Sequence, residues 1–411
     1  MTRRRILVSA YACEPDQGSE AGIGWHWVRE IARRHEVWLV TRENNVERIE
    51  QQARAEGLVD LHLVGYDLPY WMRFWKRGGR GALAYFYLWQ LGLARRARAL
   101  DREIGFDLVH HITFASSWIP SGLAFVGKPF VWGPVGRHPR IPDRFLPAHA
   151  WRVRLAEFAK AAWKRTCERA DPLLARTRSR ADLILCLGSA PECGAVPRGL
   201  AFLAAGADAV ALDQHRFERG QRFEVLFAGR LVELKGVRLA LESFALAAQS
   251  LPHARLVLLG DGPLREELEQ RARDLGLAGR VEFRRQRPRT EVLEAMLACD
   301  VFLFPSFEGA GMVVIEAMAA GAPVVCLDWG GPGDMTADER GLRIAPAATP
   351  QATARALAGA LLRLERDEEL RQRLARRAHS FVLEQATWER KGERLDELYE
   401  RAERAHAQAT A

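Results

Sequence analysis

One stretch of sequence sets the fold class: Val301-Phe-Leu-Phe-Pro-Ser-Phe-Glu308-Gly-Ala-Gly311-Met-Val-Val-Ile-Glu316-Ala-Met-Ala-Ala-Gly321. The apolar run predicts a buried strand ending at Pro305, then a glycine loop carrying Glu308 and a helix beginning near Gly311. Loop amides at a helix N-terminus form an anion site. Glu316 lies among apolar neighbours and is costly to bury without hydrogen bonds, so it is expected to face sugar or ribose hydroxyls. The alternative is a carboxylate at the edge of the buried face, in contact with water.

A second motif, Val225-Leu-Phe-Ala-Gly229-Arg230-Leu-Val-Glu-Leu-Lys235-Gly236, also follows a predicted strand. Two cations that bracket a glycine loop suit a diphosphate, with Arg230 as a planar fork and Lys235 as a point charge. The alternative is a surface pair on a basic protein. Only six of the 60 basic residues are lysines, so a lysine at this position departs from the arginine bias of the chain.

Outward from these motifs, short apolar runs alternate with helical patterns along the chain, as in βα units of a parallel sheet. We therefore predict an α/β protein of two Rossmann-like, doubly wound domains that face each other across a cleft, followed by a helical C-terminal tail. The aromatic positions of the tail suggest that one face packs on a domain, without indicating which. The predicted boundaries are 1–195 for the N-terminal domain, 196–220 for a linker, 221–380 for the C-terminal domain and 381–411 for the tail.

The formal charge of +8 is unevenly distributed. Residues 1–200 hold 31 basic and 20 acidic side chains, whereas residues 201–411 hold 29 and 32, so the excess belongs to the first half. The six cysteines contain no Cys-x-x-Cys pair, which argues against a zinc site and a disulfide framework. The apolar run after Met1 lacks a cleavage site, and no run is long enough to span a membrane. We expect a cytoplasmic protein.

The combination of motifs resembles the retaining family-4 glycosyltransferases of the GT-B fold. The resemblance rests on Glu308-x7-Glu316, Gly-Arg-x5-Gly and Leu259-Gly-Asp-Gly-Pro263. The opening segment Ala12-Cys-Glu-Pro-Asp-Gln-Gly-Ser-Glu-Ala-Gly-Ile-Gly-Trp25 resembles one bacterial branch of that family. The likeness extends from Arg5 to about residue 345.

The resemblance implies a role for each matching residue. Arg230 and Lys235 would bind the diphosphate of a sugar nucleotide, next to Gly229, while Glu308 would bind hydroxyls of the donor sugar and Glu316 the ribose diol. A glycine loop at Gly22 and Gly24 would approach the diphosphate from the N-terminal domain. The amides of Gly309, Ala310, Gly311, Met312 and Val313 would contact the sugar and the phosphates. His110 or His111 would lie beside the donor sugar, and strand alternation lets only one of them face the site. We favour His111, with His110 in a structural role.

The resemblance also implies transfer with retention of configuration, in which fixed positive charge stabilises the leaving diphosphate. No Asp-x-Asp pair occurs in the sequence, so we expect neither a cofactor nor a metal, and the nucleotide-diphosphate sugar is a co-substrate. Two departures from the family pattern are Ala310, where an aromatic is usual, and Arg285, where a glycine is common. We therefore expect a roomier donor pocket, and the identity of the nucleobase stays open.

The segment Tyr70 to Leu100 contains seven basic residues and no acid, interleaved with aromatic rings. This composition suits contact with an anionic membrane. The alternatives are a core helix with a solvated basic end, or a groove for an acidic or lipid-linked acceptor. The candidate residues are Arg73, Trp75, Lys76, Arg77 and Arg80. Nothing in the segment matches a nucleic-acid-binding motif.

Together these observations predict a glycosyltransferase that moves a sugar from a nucleotide-diphosphate donor to a saccharide or lipid-linked saccharide acceptor. Bacterial surface polysaccharide synthesis, at the inner face of the cell membrane, is the expected setting. One alternative is a sugar-nucleotide epimerase or hydrolase of the same fold. Another is a non-catalytic sugar-nucleotide-binding protein. The joint presence of Arg230, Lys235, Glu308 and Glu316 argues against both.

Overall fold

The structure is a computed structural model. It describes residues 3–75, 81–114, 116–136, 140–146, 151–188, 198–210 and 222–411. The chain divides into two compact units. The first unit comprises Met1–Arg137, Ala156–Ala204 and Trp388–Ala411, and the second comprises His138–Leu155 and Ala205–Thr387. Unlike the division predicted from sequence, this one assigns the C-terminal helix to the first unit.

The first unit is built on a seven-stranded parallel sheet in the order β3-β2-β1-β4-β5-β6-β7. The order reverses between β1 and β4, which is the arrangement of a doubly wound sheet. The central strands are buried along their whole length, which explains their continuous apolar runs. The strands are β1 Arg5–Ala10, β2 Glu36–Thr41, β3 Leu61–Gly65, β4 Leu108–Thr113, β5 Phe130–Val135, β6 Leu183–Cys186 and β7 Gly199–Ala201.

Seven described helices accompany this sheet. They are α1 Ser19–Ala32, α2 Glu43–Ala55, α3 Tyr70–Arg73, α4 Ala82–Ile104, α5 Trp151–Ala170, α6 Pro172–Arg180 and the C-terminal helix, α14, Trp388–Thr410. Most of α5 belongs to the first unit, while its residues up to Leu155 are assigned to the second. The α14 helix packs on α1, where the Trp388 ring stacks on His26 with centroids 4.6 Å apart. The structure thus shows that the aromatic face of the predicted tail packs on the first unit.

The second unit contains a six-stranded parallel sheet in the order β10-β9-β8-β11-β12-β13. The strands are β8 Phe223–Ala228, β9 Ala254–Leu259, β10 Val281–Arg284, β11 Val301–Phe304, β12 Val324–Leu327 and β13 Leu342–Ile344. The helices are α7 Val237–Ala248, α8 Arg265–Asp274, α9 Arg289–Ala298, α10 Met312–Ala319, α11 Gly330–Met335, α12 Pro350–Arg366 and α13 Glu368–Phe381.

The predicted fold class is confirmed in each unit, since both are parallel-sheet α/β structures with helices at the C-terminus. Two short strands were not predicted. The β7 strand lies inside the segment interpreted as a linker, and β13 follows a polar loop. Within the described ranges, no helix combines the length and apolarity needed to cross a membrane.

Candidate functional site

The site in the second unit is assembled by two neighbouring strands. The β8 and β11 strands pair in parallel, so the loops that follow them begin side by side at the carboxyl edge of the sheet. Gly236 closes the first loop with φ +66°, and a Cβ atom there would lie 1.8 Å from the Pro305 carbonyl oxygen. The close approach of the two loops therefore requires glycine at this position.

Lys235 and Glu308 meet between these loops as an ion pair. Glu308 Oε2 accepts from the Lys235 ammonium, while Glu308 Oε1 is buried without a partner among the described residues. The ammonium also lies 5.3 Å from the centroid of the Phe304 ring. The loop of Glu308 is held by Ser306, whose hydroxyl accepts from the Glu308 amide at 3.2 Å and donates to the Leu234 carbonyl at 3.1 Å. The carboxylate thus keeps one oxygen available for a ligand hydroxyl.

Arg230 follows β8 directly after Gly229 and is exposed. Its guanidinium forms no ion pair with any described residue, in contrast to Lys235. An exposed, unneutralised guanidinium at the carboxyl edge of the sheet can bind an anion through two parallel hydrogen bonds. Among the described residues, Lys235 therefore has a charged partner and Arg230 has none, although both lie on the same loop.

The predicted glycine loop leads into α10 as expected. Gly311 caps the helix with φ +70°, so Met312 and Val313 supply amides in the first turn, where a helix has no acceptors of its own. The loop packs closely on α11, because a Cβ atom at Gly331 would lie 2.4 Å and 2.6 Å from the carbonyl oxygens of Gly309 and Ala310. The contact with α11 consequently fixes the shape of the loop, whose amides lead into the N-terminus of α10.

Glu316 lies on α10 and pairs with Arg289, whose Nε is 3.2 Å from Glu316 Oε1. Burial raises the pKa of Glu316 above its ordinary value, and the positive charge of Arg289 opposes that rise. Arg289 also lies 3.5 Å from Asp208. Sequence reasoning found Glu316 but missed Arg289, since nothing in the local pattern of α9 indicates a partner 27 positions further along the chain.

Trp329 is a second residue that sequence reasoning missed. Its indole Nε1 is buried and has no hydrogen-bond partner among the described residues, and its ring lies 6.1 Å from Phe307. Buried indole N–H groups usually find a partner. The Trp329 N–H and Glu308 Oε1 are therefore two unsatisfied polar groups flanking the same loop, and the Trp-Gly-Gly-Pro sequence from residue 329 was the available signal.

In the first unit, the prediction of a glycine loop at Gly22 and Gly24 is wrong. Both residues are buried inside α1. A Cβ atom at Gly24 would lie 2.2 Å from the Ala12 carbonyl oxygen, so this glycine allows the helix to pack closely on the chain after β1. Contact of either glycine with a donor remains a prediction.

The two histidines of β4 differ in their hydrogen bonds. His110 is bonded at both ring nitrogens, to the Tyr399 hydroxyl and the Gly133 carbonyl, each at 2.8 Å. His111 leaves Nδ1 without a partner among the described residues. Burial lowers the pKa of His110 to about 3 and that of His111 to about 4, so both are neutral near pH 7. His110 therefore has the bonding of a structural histidine, and His111 has an unused nitrogen.

The basic, aromatic segment is only partly described. Arg73 lies 3.3 Å from Asp67 and 3.6 Å from Glu43, so its charge is paired. The Trp75 ring packs against Tyr85 with centroids 6.4 Å apart. Lys76, Arg77 and Arg80 lie outside the described residues.

Comparison with known structures shows the class of fold. The chain is similar to Anabaena HepE, solved in complex with UDP and glucose, with a TM-score of 0.62, 17% identity, and coverage of 96% of this chain and 99% of that one. It is also similar to a sucrose-phosphate synthase from Thermosynechococcus elongatus, with a TM-score of 0.65, 19% identity, and coverage of 97% and 98%. Both are matched over nearly their full length, so the chain has the two-domain GT-B fold.

Sequence comparison shows a likeness to glycosyltransferases over part of the chain. Residues 211–381 match the family model described as glycosyl transferases group 1. A lipopolysaccharide core biosynthesis glycosyltransferase, LpsE of Rhizobium meliloti, is 36% identical over 179 residues, covering 43% of this chain and 49% of that protein. A putative teichuronic acid biosynthesis glycosyltransferase, TuaC of Bacillus subtilis, is 36% identical over 149 residues, covering 36% and 34%.

The match to the family model covers residues 211–381, which is less than half of the chain of 411 residues. The chain spans about half, or less, of the length of the curated relatives it matches.

Proposed function

We propose that the protein is a retaining glycosyltransferase that moves a sugar from a nucleotide-diphosphate donor to a saccharide or lipid-linked saccharide acceptor. The observation that carries the proposal is the pairing of Lys235 with Glu308, which leaves Glu308 Oε1 unsatisfied. Exposed Arg230 lies on the same loop as Lys235, and the helix-end amides of α10 follow the Glu308 loop. Cations, amides and an open carboxylate oxygen are the groups that a sugar diphosphate requires.

In this proposal the site acts mainly by electrostatics. Negative charge develops on the leaving diphosphate as the glycosidic bond breaks, and Arg230, Lys235 and the α10 amides stabilise it. Glu308 positions the sugar through its hydroxyls, and Glu316 binds the ribose diol. The two fixed cations supply the positive charge that a divalent ion provides in other transferases, so activity is expected without a metal.

The acceptor is proposed to belong to bacterial surface polysaccharide synthesis. The relatives named for lipopolysaccharide core and teichuronic acid biosynthesis support that setting. The excess positive charge of residues 1–200 suits an acidic or lipid-linked acceptor. We propose that the segment containing Arg73, Trp75, Lys76, Arg77 and Arg80 contacts such an acceptor or the anionic membrane that carries it, with the protein at the inner face of the cell membrane.

A panel of sugar nucleotides tests the function. Slow hydrolysis of one donor without acceptor, accelerated by an acceptor, supports the transferase. Rapid acceptor-independent release of the sugar would instead show a hydrolase, an isomerised nucleotide sugar would show an epimerase, and binding without turnover would show a non-catalytic protein.

Two further measurements test the finer parts of the proposal. The anomeric configuration of the product, read from the one-bond C–H coupling in its NMR spectrum, should match that of the donor. Activity after dialysis against EDTA should be unchanged, and a loss that Mg²⁺ or Mn²⁺ restores would contradict metal independence.

A further inference from the structure

Among the described side chains of α5, the outer face carries large apolar groups, which is the reverse of the usual arrangement for a helix on a protein surface. Phe158 and Trp163 have exposed fractions of 63% and 62%. They lie on one side of the helix in a set of exposed residues spaced three and four apart, here called the α5 stripe. Its members are Leu155, Phe158, Ala159, Ala162, Trp163 and Thr166.

The opposite face of α5 is the one that packs on the first unit. Cys167 packs against the hydrophobic core of that unit. The Lys164 ammonium lies 5.9 Å from the centroid of the Trp118 ring, and the Glu168 carbonyl accepts from Arg178 at 3.3 Å. The helix is therefore already seated on the unit through one face, and the exposure of the α5 stripe is a consequence of that seating.

Two arginines border the α5 stripe. Arg165 and Arg169 are exposed, and neither forms an ion pair with a described residue. A helix with large apolar rings on one face and cations at its margin fits the boundary between the acyl chains and the headgroups of an anionic bilayer. The positive charge of the two arginines beside the α5 stripe thus favours an anionic partner.

A second copy of the chain fits this surface less well. From Leu155 to Thr166 the stripe is about 17 Å long and about 10 Å wide. The resulting footprint of about 170 Å² is far below the roughly 800 Å² that each partner buries in a stable dimer. Two stripes would also bring Arg165 and Arg169 of both copies together. A membrane requires no minimum interface of this kind, because aromatic insertion and charge attraction add to other contacts.

Another exposed aromatic cluster lies on the same unit. Tyr70, Trp71 and Phe74 project from α3 and the residue that follows it. The α3 and α5 helices both adjoin the N-terminal half of α4. The Trp75 ring is 6.4 Å from Tyr85, and the Tyr87 hydroxyl donates to Asp171, directly after α5, at 3.0 Å.

We infer that the α5 stripe inserts into the interface of an anionic lipid membrane and holds the first unit on it. The inference rests on the proposed function only in that a lipid-linked acceptor would lie in such a membrane. Phe158 and Trp163 provide the apolar insertion, and Arg165 and Arg169 attract the anionic headgroups.

Co-sedimentation of the full chain with vesicles tests this inference. Vesicles of phosphatidylcholine alone are compared with vesicles containing 30% phosphatidylglycerol, where the percentage is roughly that of an anionic membrane. The chain should bind the anionic vesicles and be released by high salt. Phe158→Ser/Trp163→Ser should lower the partition coefficient by at least about tenfold. Arg165→Gln/Arg169→Gln should lower it by about fivefold per arginine on anionic vesicles only.

The matched control is Val59→Ser. It removes an exposed apolar side chain that lies outside α5, and it should leave vesicle binding unchanged. Equal binding by the Phe158→Ser/Trp163→Ser variant and the unaltered chain would overturn the inference. A dimer in solution that this variant converts to a monomer would also overturn it, in favour of a second copy on the stripe. Donor hydrolysis in solution is measured in parallel. Absence of donor hydrolysis by the unaltered chain, with vesicle binding intact, would count against the proposed function alone.

Discussion

Lys235 and Glu308 neutralise each other across two loops that follow neighbouring parallel strands. The cation expected to bind a diphosphate and the carboxylate expected to bind a sugar are therefore one unit before any ligand arrives. A bound diphosphate would draw the ammonium toward itself, and the carboxylate would then bind the sugar hydroxyls with both oxygens. The pair thus links recognition of the two halves of the donor.

This linkage predicts opposite effects of two substitutions on the affinity for free nucleoside diphosphate. Lys235→Ala should weaken binding by about 10- to 100-fold, since a charge-assisted hydrogen bond is lost. Glu308→Gln should strengthen it, since the ammonium no longer has a competing carboxylate, while turnover of the sugar nucleotide falls. Isothermal titration with nucleoside diphosphates and a turnover assay give both quantities.

Lys128→Ala is the matched control for these variants, because Lys128 is a lysine of the first unit that pairs with Asp101. It should change neither the affinity nor the turnover. If Lys235→Ala bound the nucleotide as tightly as this control, Lys235 would not contact the diphosphate.

Gly236 gives a prediction about the stability of the loop. Alanine at this position would require a left-handed backbone and would place its Cβ atom 1.8 Å from the Pro305 carbonyl oxygen. Gly236→Ala should therefore lower the free energy of unfolding by more than about 3 kcal/mol. Gly276 has nearly the same φ, +68°, and no atom within 4 Å of its Cβ position. Gly276→Ala should therefore cost only about 1 kcal/mol, from backbone strain. Urea denaturation of both variants measures the difference, and equal losses would contradict the close contact.

Much of the fold could be predicted because the relevant signals are local. The β8 and β9 strands form where the alternation of apolar runs and helical patterns predicts a parallel sheet, since each is a mostly apolar, mostly buried run. The loop and helix from Glu308 to Glu316 also follow from local glycine chemistry, because Gly311 has the positive φ that the cap requires.

The remaining features depend on contacts between residues far apart in sequence. The packing of α14 on the first unit is one example, since the Tyr399 hydroxyl reaches His110 across 289 positions. The pairing of Arg289 with Glu316 is another. Gly24 illustrates a third case. A glycine that allows a helix to pack closely cannot be distinguished, from sequence, from a glycine that lines a ligand loop.

The buried carboxylate of Glu316 predicts a pH dependence of nucleotide binding. Its pKa is raised by burial, so it gains a proton at a higher pH than an ordinary glutamate and then accepts fewer hydrogen bonds from ribose. Affinity should fall as the pH is lowered toward that raised pKa. Arg289→Ala removes the charge that opposes the rise, so the fall should begin at a higher pH in this variant.

The measurement is the dissociation constant of the nucleoside diphosphate as a function of pH, in the unaltered chain and in Arg289→Ala. The titration of the ligand itself affects both curves equally. A shift of one curve along the pH axis relative to the other therefore reports on Glu316. Arg287→Ala is the control, because Arg287 pairs with Glu291 rather than with Glu316. Superimposable curves for all three proteins would show that Glu316 does not act on the nucleotide.

Lys391 on α14 predicts a pH dependence of stability that is independent of the donor site. The ammonium is buried, donates to the Leu203 carbonyl and lies 5.6 Å and 5.2 Å from the ring centroids of Trp27 and Phe202. Burial lowers the pKa of Lys391 to about 7 from its ordinary value of 10.5. Between these two pH values the unfolded chain binds a proton that the folded chain has released, so the free energy of unfolding should rise with pH in this window.

Lys391→Met preserves the length of the side chain and removes the titration. The stability of the unaltered chain relative to this variant should therefore increase from pH 7 to pH 9, with a slope of at most about 1.4 kcal/mol per pH unit. Taking the difference between the two proteins cancels every group that titrates in both. Lys128→Met removes a half-buried lysine, and the free energy of unfolding of this variant should vary with pH in parallel with that of the unaltered chain. A pH-independent difference between the unaltered chain and Lys391→Met would mean that Lys391 stays protonated in the folded state, held by the Leu203 carbonyl and the two aromatic rings.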